Sequence, residues 1–161
     1  MKIDSKLRAA DLAGAAAKTL ALGGEKFRLI EKTWDPRKGT PVFTVGGKYA
    51  TRGWTEWTQG FQYGMAILAF DGTGDTKLLE AGRKRTIELM SAHVTHIGVH
   101  DHGFNNLSTY GNLRRLMREK RIAHDPWEMA YYDMAIRASA CTQAARWSTT
   151  ADGLGYIYSF N

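Results

Sequence analysis

Trp57-Thr-Gln-Gly60-Phe61-Gln-Tyr-Gly64-Met65-Ala-Ile-Leu-Ala-Phe70 is apolar on nearly every side of a helical wheel. Phe61, Met65, Ala66, Ile67, Leu68, Ala69 and Phe70 leave no broad polar face, so the spacing predicts a deeply buried helix from about Trp57 to Phe70. A buried helix needs others around it, and the flanking sequence supplies them. Upstream, Leu7, Ala10, Ala13, Ala17 and Leu20 form one face of a helix from about Asp4 to Leu22, which Asp4 and Ser5 cap and Gly23-Gly24 end. A short helical piece, Glu25 to Lys32, follows. Downstream, Asp71-Gly-Thr-Gly-Asp75 is a turn, and Asp75 caps a third helix running to about Ala92. A fourth helix covers Leu107 to Lys120. Asp125-Pro126 opens a fifth, which runs to about Trp147.

Between the first two helices, residues 34 to 56 are broken by Pro36, Gly39, Pro41, Gly46, Gly47 and Gly53. They read as a long structured loop with a small β-ribbon at Val42 to Val45. The order is helix, loop, helix, tight turn, helix, loop, helix. That rhythm of antiparallel pairs builds toroids and solenoids, and the chain is expected to be all-α. Five helices do not close a toroid by themselves, and residues 1–161 read as one domain of such helix pairs.

Composition narrows the class. The 161 residues suit one domain, and 43% hydrophobic against 24% charged residues describe a globular chain rather than a disordered one. The excess of 22 basic over 16 acidic residues gives a net charge of +6, which suits an acidic partner: a uronic acid, nucleic acid or an anionic surface. Only Arg114, Arg115, Arg118, Lys120 and Arg121 are dense. Without a nucleic-acid motif beside them they read as a solvated helix face, and no nucleic-acid partner is expected. No apolar run reaches the length of a membrane span, and Asp4, Lys6, Arg8 and Asp11 interrupt any signal-like segment. The expectation is a soluble, cytoplasmic protein. Cys141 stands alone among Ala138, Ala140 and Ala144 and reads as a small buried side chain.

The segment His93-Val-Thr-His96-Ile-Gly-Val-His100-Asp101-His102-Gly-Phe104 concentrates the reactive residue types. A zinc site is one reading of four histidines and a carboxylate, but the spacing matches no zinc signature and no metal is expected. His93 and His96 read instead as helix C-terminal residues favoured by the dipole. His100-Asp101 is the acid–base candidate, because a carboxylate beside an imidazole in a glycine-bearing loop can be tuned toward neutral pH. The plainer alternative is that Asp101 caps the next helix. Trp54 and Trp57, where the long loop enters the buried helix, offer indole faces to a sugar ring, and Gln59 and Arg52 are polar enough to orient hydroxyls or a carboxylate. Trp34, Trp127 and Trp147 read as core or packing residues.

Gly47-Lys-Tyr49, Trp57-Thr-Gln-Gly60-Phe61-Gln-Tyr-Gly64, Thr73-Gly74-Asp75 and His100-Asp101-His-Gly103-Phe104, in that order, resemble the opening of glycoside hydrolase family 88, the unsaturated glucuronyl hydrolases. The likeness spans roughly residues 45 to 140. It implies part of an (α/α)6 barrel and release of a Δ4,5-unsaturated uronic acid from the non-reducing end of lyase-generated oligosaccharides, by hydration of the vinyl ether without cofactor or metal. By motif Asp101 matches the family's first aspartate, His100 its neighbour at the substrate, and Trp57 an aromatic of the cleft. The resemblance places the principal acid–base aspartate in a later hairpin, and this second carboxylate is expected beyond Asn161, since neither Asp133 nor Asp152 matches it. The resemblance therefore implies that the 161 residues form the first part of such a barrel, inactive alone and prone to self-association through its exposed interior. Unsaturated rhamnogalacturonyl hydrolases, or a non-enzymatic helical module binding polyanions, are the alternatives.

Overall fold

The computed structural model describes residues 6–52 and 57–159. Asp4, Ser5, Trp54 and Asn161, singled out above, lie outside them. The chain forms α1 (Ala13–Thr33), a hairpin of β1 (Pro41–Val45) and β2 (Lys48–Thr51), α2 (Thr58–Thr73), α3 (Thr76–Leu89) and the short α4 (Ser91–Val94). A π-helix (Gly103–Gly111) then runs straight into α5 (Asn112–Arg118), followed by α6 (Pro126–Ala144) and a second hairpin, β3 (Trp147–Thr149) with β4 (Gly155–Ile157). The fold is all-α in its framework, and both hairpins are small antiparallel appendages.

α2 sits at the centre and packs against α1, α3, the π-helix and α5. Tyr63, Ala66, Ile67 and Phe70 of α2 join Phe27, Leu78, Met90, Tyr110, Leu113, Leu116 and Tyr132 in one buried core. The expectation that α2 is buried on all sides needs correction. Phe61 and Leu68 remain 42% and 40% exposed, beside an apolar groove of about 360 Å³ that Leu20 and Met65 also line.

α1 is the largest departure from the sequence reading. It does not end at Gly23-Gly24 but continues to Thr33 as a 21-residue helix. Glycine there permits contact rather than a break: a Cβ on Gly24 would lie 2.8 Å from Leu78 Cδ1. The roughly 1 kcal/mol helix penalty of glycine is offset by close packing between α1 and its neighbours. α2 ends on Gly74, at φ 75°, and the Asp75 carboxylate accepts from Lys77 N at 3.0 Å to start α3. Asp125 caps α6 in the same way, accepting from Glu128 N at 2.9 Å.

The ribbon expected at Val42 to Val45 is the β1–β2 hairpin. Its two-residue turn, Gly46-Gly47, has positive φ at both positions, 56° and 75°, as the twist of a tight hairpin demands. The second hairpin, β3–β4, had no counterpart in the sequence reading.

One burial expectation fails: Cys141 is exposed. Trp127 and Trp147, 68% and 62% exposed, are packing residues and not core. Trp127 stacks on Tyr131 with centroids 5.5 Å apart, and the Trp147 ring covers Gly155. The described chain places no helix over this side of α6. Trp34 is half-buried as a packing residue, with its indole N–H donating to Gly39 O at 2.8 Å.

Candidate active site

Two of the sequence motifs meet because of one glycine. Gly60, in the first turn of α2, lies against the π-helix so closely that a Cβ would fall 2.3 Å from Asn105 Cα and 2.4 Å from Phe104 O. Its N–H donates to Asn105 Oδ1 at 2.9 Å. Gly64, one turn later, meets the Ser108 backbone in the same way. The starts of α2 and the π-helix are therefore locked side by side.

That contact assembles an aromatic triangle. Trp57, Phe61 and Phe104 have ring centroids 5.5, 5.7 and 5.2 Å apart, and each ring remains roughly half-exposed. Sequence reasoning marks Trp57 as a sugar-facing aromatic but not Phe104, nor Phe61, which follows Trp57 by one helical turn.

Asp101 precedes the π-helix by two residues and is 7% exposed. His100 Nε2 lies 3.6 Å from its Oδ1, so the imidazole–carboxylate doublet exists in space as well as in sequence. The π-helix has His102 at its N-cap, with no side-chain cap bond from that residue. The backbone carbonyl of Asp101 accepts from Asn105 N at 3.2 Å. Arg52 lies just past β2 with its guanidinium over the Phe43 ring at 5.5 Å, which places it on the hairpin. The second carboxylate, expected beyond Asn161, falls outside the described residues, as do Asn161 itself and Trp54.

Beneath the doublet runs a buried polar network. His93 Nε2 meets Gln59 Oε1 at 2.6 Å, and Asn106 Nδ2 donates to His93 O at 3.1 Å and to Ser139 Oγ at 3.0 Å. His102 Nδ1 meets Ser139 Oγ at 2.8 Å, and its Nε2 meets His96 O at 2.6 Å. A carbonyl only accepts, so His102 carries its proton on Nε2 and Ser139 donates to Nδ1. His93 is thus no dipole-stabilised helix-end cation. Burial, with His96 and His102 nearby, lowers its pKa to about 4 and keeps it neutral. His102 is lowered as well, again chiefly by burial. Gln59 engages His93 through its Oε1 and also lines a groove of about 350 Å³ with Pro36, Gly39 and Leu89. Among the described residues no group of three or more His, Cys, Asp or Glu could hold a metal ion.

The 94–99 loop, which delivers the doublet, is fastened by side chains. Val94 O accepts from Thr142, His96 O from His102, Ile97 O from Arg146 and Val99 O from Gln143. Three of those donors lie on or just past the C-terminal turns of α6, and none was legible as functional in the sequence.

Helices packed around a central α2 make this chain part of an (α/α)6 barrel. A solved structure with that fold is similar to it: the crystal structure of an unsaturated glucuronyl hydrolase specific for heparin, with a TM-score of 0.68 and 20% identity over 94% of this chain. The matched part is 36% of that protein, so this chain spans little more than a third of its length. No family model and no curated protein matches the sequence. At this identity the likeness establishes the fold. Among the described residues no helix is long and apolar enough to cross a membrane.

Proposed function

We propose that this chain carries the first carboxylate and part of the sugar cleft of an unsaturated glucuronyl hydrolase-like glycosidase. The observation that carries the reading is the buried Asp101, paired with His100, two residues ahead of a π-helix whose Phe104 completes an exposed aromatic triangle with Trp57 and Phe61. Fold and motif point the same way, and the +6 charge suits an anionic sugar. In the reaction the C4 carbon of a Δ4,5-unsaturated uronate takes a proton and water adds at C5. The resulting hemiketal then opens and releases the remaining sugar. Asp101 supplies one of the two carboxyl groups that divide this proton traffic, His100 orients it, and the aromatic rings receive the apolar faces of the sugar. On this reading the other carboxyl group is not among the residues described.

The polyanion-binding alternative is less well supported. Arg114 pairs with Asp133, Arg115 with Asp71 and Glu119, and Arg121 with Asp71, so much of the basic cluster is neutralised internally.

The test is titration of the chain with an unsaturated disaccharide and its saturated counterpart, followed by nuclear magnetic resonance. Resonances of Trp57, Phe104 and Asp101 are expected to move with the unsaturated sugar, without turnover by the 161-residue chain. Absence of any shift at these residues at millimolar sugar would sink the reading. Loss of the double-bond absorbance would overturn the assignment of the second carboxylate to a later hairpin.

A further inference from the structure

Arg146 is fully buried, at 0% exposure. A guanidinium is costly to remove from water, and this one is surrounded by backbone oxygen. It donates to Ile97 O, to Tyr158 O at 2.6 Å and to Ser159 O at 2.6 Å, and it lies over the Tyr158 ring, 4.5 Å from the centroid. These groups belong to two segments far apart in sequence, the 94–99 loop and the strand leaving β4. The planar fork of arginine reaches both at once, which a lysine ammonium on its flexible stem does not reproduce.

The consequence lies at the doublet. With Ser159 held by Arg146, both its carbonyl oxygen and its Oγ lie close to His100 Nδ1, at 3.0 and 2.9 Å. The opposite nitrogen of the same ring, Nε2, faces Asp101 Oδ1 at 3.6 Å. A continuous line of contacts thus runs from Arg146 through Ser159 and the His100 ring to the Asp101 carboxylate. The same guanidinium also fixes Ile97, three residues before His100. We propose that Arg146 is a positioning residue: by clamping the strand after β4 to the 94–99 loop, it uses Ser159 to set the His100 ring against Asp101. Calling the doublet an acid–base pair rests on the proposed function, whereas the clamp itself is independent of it.

The test reads the imidazole and needs no substrate. The ring nitrogens of His100 are followed by ¹⁵N nuclear magnetic resonance in the whole chain and in Ser159→Ala, Ser159→Thr and Arg146→Lys. Ser159→Ala removes one exposed hydroxyl, and Arg146→Lys removes the fork while keeping the charge. Both are expected to shift the His100 Nδ1 and Nε2 signals, Arg146→Lys more than Ser159→Ala because it also frees the Ser159 carbonyl, leaving those of His93 in place. Ser159→Thr, which restores the hydroxyl, is expected to return the wild-type signals. A merely structural role for Arg146 would leave His100 untouched in any variant that folds. Unchanged His100 signals in folded Arg146→Lys would overturn the proposal. Where Arg146→Lys does not fold, Arg146→Gln, which also loses the two-armed fork, decides: unchanged His100 signals there overturn it equally. A chain that binds no unsaturated disaccharide leaves this experiment intact, so failure of the clamp and failure of the hydrolase reading are separable.

Discussion

His93 shows what a single residue conceals in a sequence. As a letter near a helix end it reads as a dipole-favoured cation. In the fold it is 2% exposed and bonded to Gln59, with its pKa held down at about 4 by burial. The unfolded chain therefore takes up this proton more readily than the folded one. The contribution to stability is complete above pH 6.5 and is lost as pH falls from 6.5 toward 4, at a slope of up to about 1.4 kcal/mol per pH unit. Urea unfolding at about pH 7.5 and about pH 4.5 is expected to show that loss, and His93→Gln is expected to make the dependence shallower. Equal slopes in the two proteins would contradict the assignment. Asp101 differs from His93 in having been visible from the start, because its neighbours form a motif. In any form of the protein that turns over an unsaturated disaccharide, Asp101→Asn is expected to lower kcat by about 10² to 10⁴, and retained turnover would remove Asp101 from the chemistry.

At the scale of elements, helices with caps and regular periodicity were legible and irregular ones were not. The Asp75 cap and the start of α6 are set by local chemistry, and both lie where the sequence puts them, although α2 runs on through Asp71 to Thr73, so the expected turn shrinks to Gly74-Asp75. The helix expected from Leu107 begins instead at Gly103, because its first stretch is π-helical. Its wider turn buries Asn105, Asn106, Thr109 and Tyr110, a pattern of four- and five-residue steps with polar members that a search for 3.6-residue apolar periodicity passes over. Gly23-Gly24 misled for the opposite reason. Glycine reads locally as a break, whereas tertiary packing requires it inside α1. Gly60 makes the same point at the site: Gly60→Ala sets a methyl group against backbone, which cannot move aside as a side chain can. The cost is expected to be about 1–3 kcal/mol or more by chemical denaturation, with loss of the Trp57–Phe104 contact. A variant as stable as wild type would show that α2 and the π-helix are not locked there.

The whole molecule leaves apolar surface uncovered along α6 and the π-helix. Trp127, Met134 and Leu107 are 68%, 58% and 56% exposed, and an open groove of about 460 Å³ runs past Ala130, Met134 and Cys141. Surface of this kind drives association. Sedimentation is expected to show the 18.0 kDa chain gaining mass with concentration, and Met134→Glu is expected to reduce the gain. A single species of monomer mass at every concentration would contradict the expectation. The buried Cys141 inferred from sequence failed for this same reason, since an alanine-rich helix announces a neighbour without saying whether one is present.

The fastening of the 94–99 loop carries a consequence for how this region tolerates change. Thr142, Gln143 and Arg146 answer three of its carbonyls from positions counted along one length of chain. Deleting a single residue between Ser139 and Thr142 would swing all three donors about 100° around the helix axis at once. Point substitutions in α6 would loosen the loop one tether at a time, but a change of length would release it whole. Natural variants of this chain should therefore vary freely in residue type along the outer side of α6 while holding its residue count fixed.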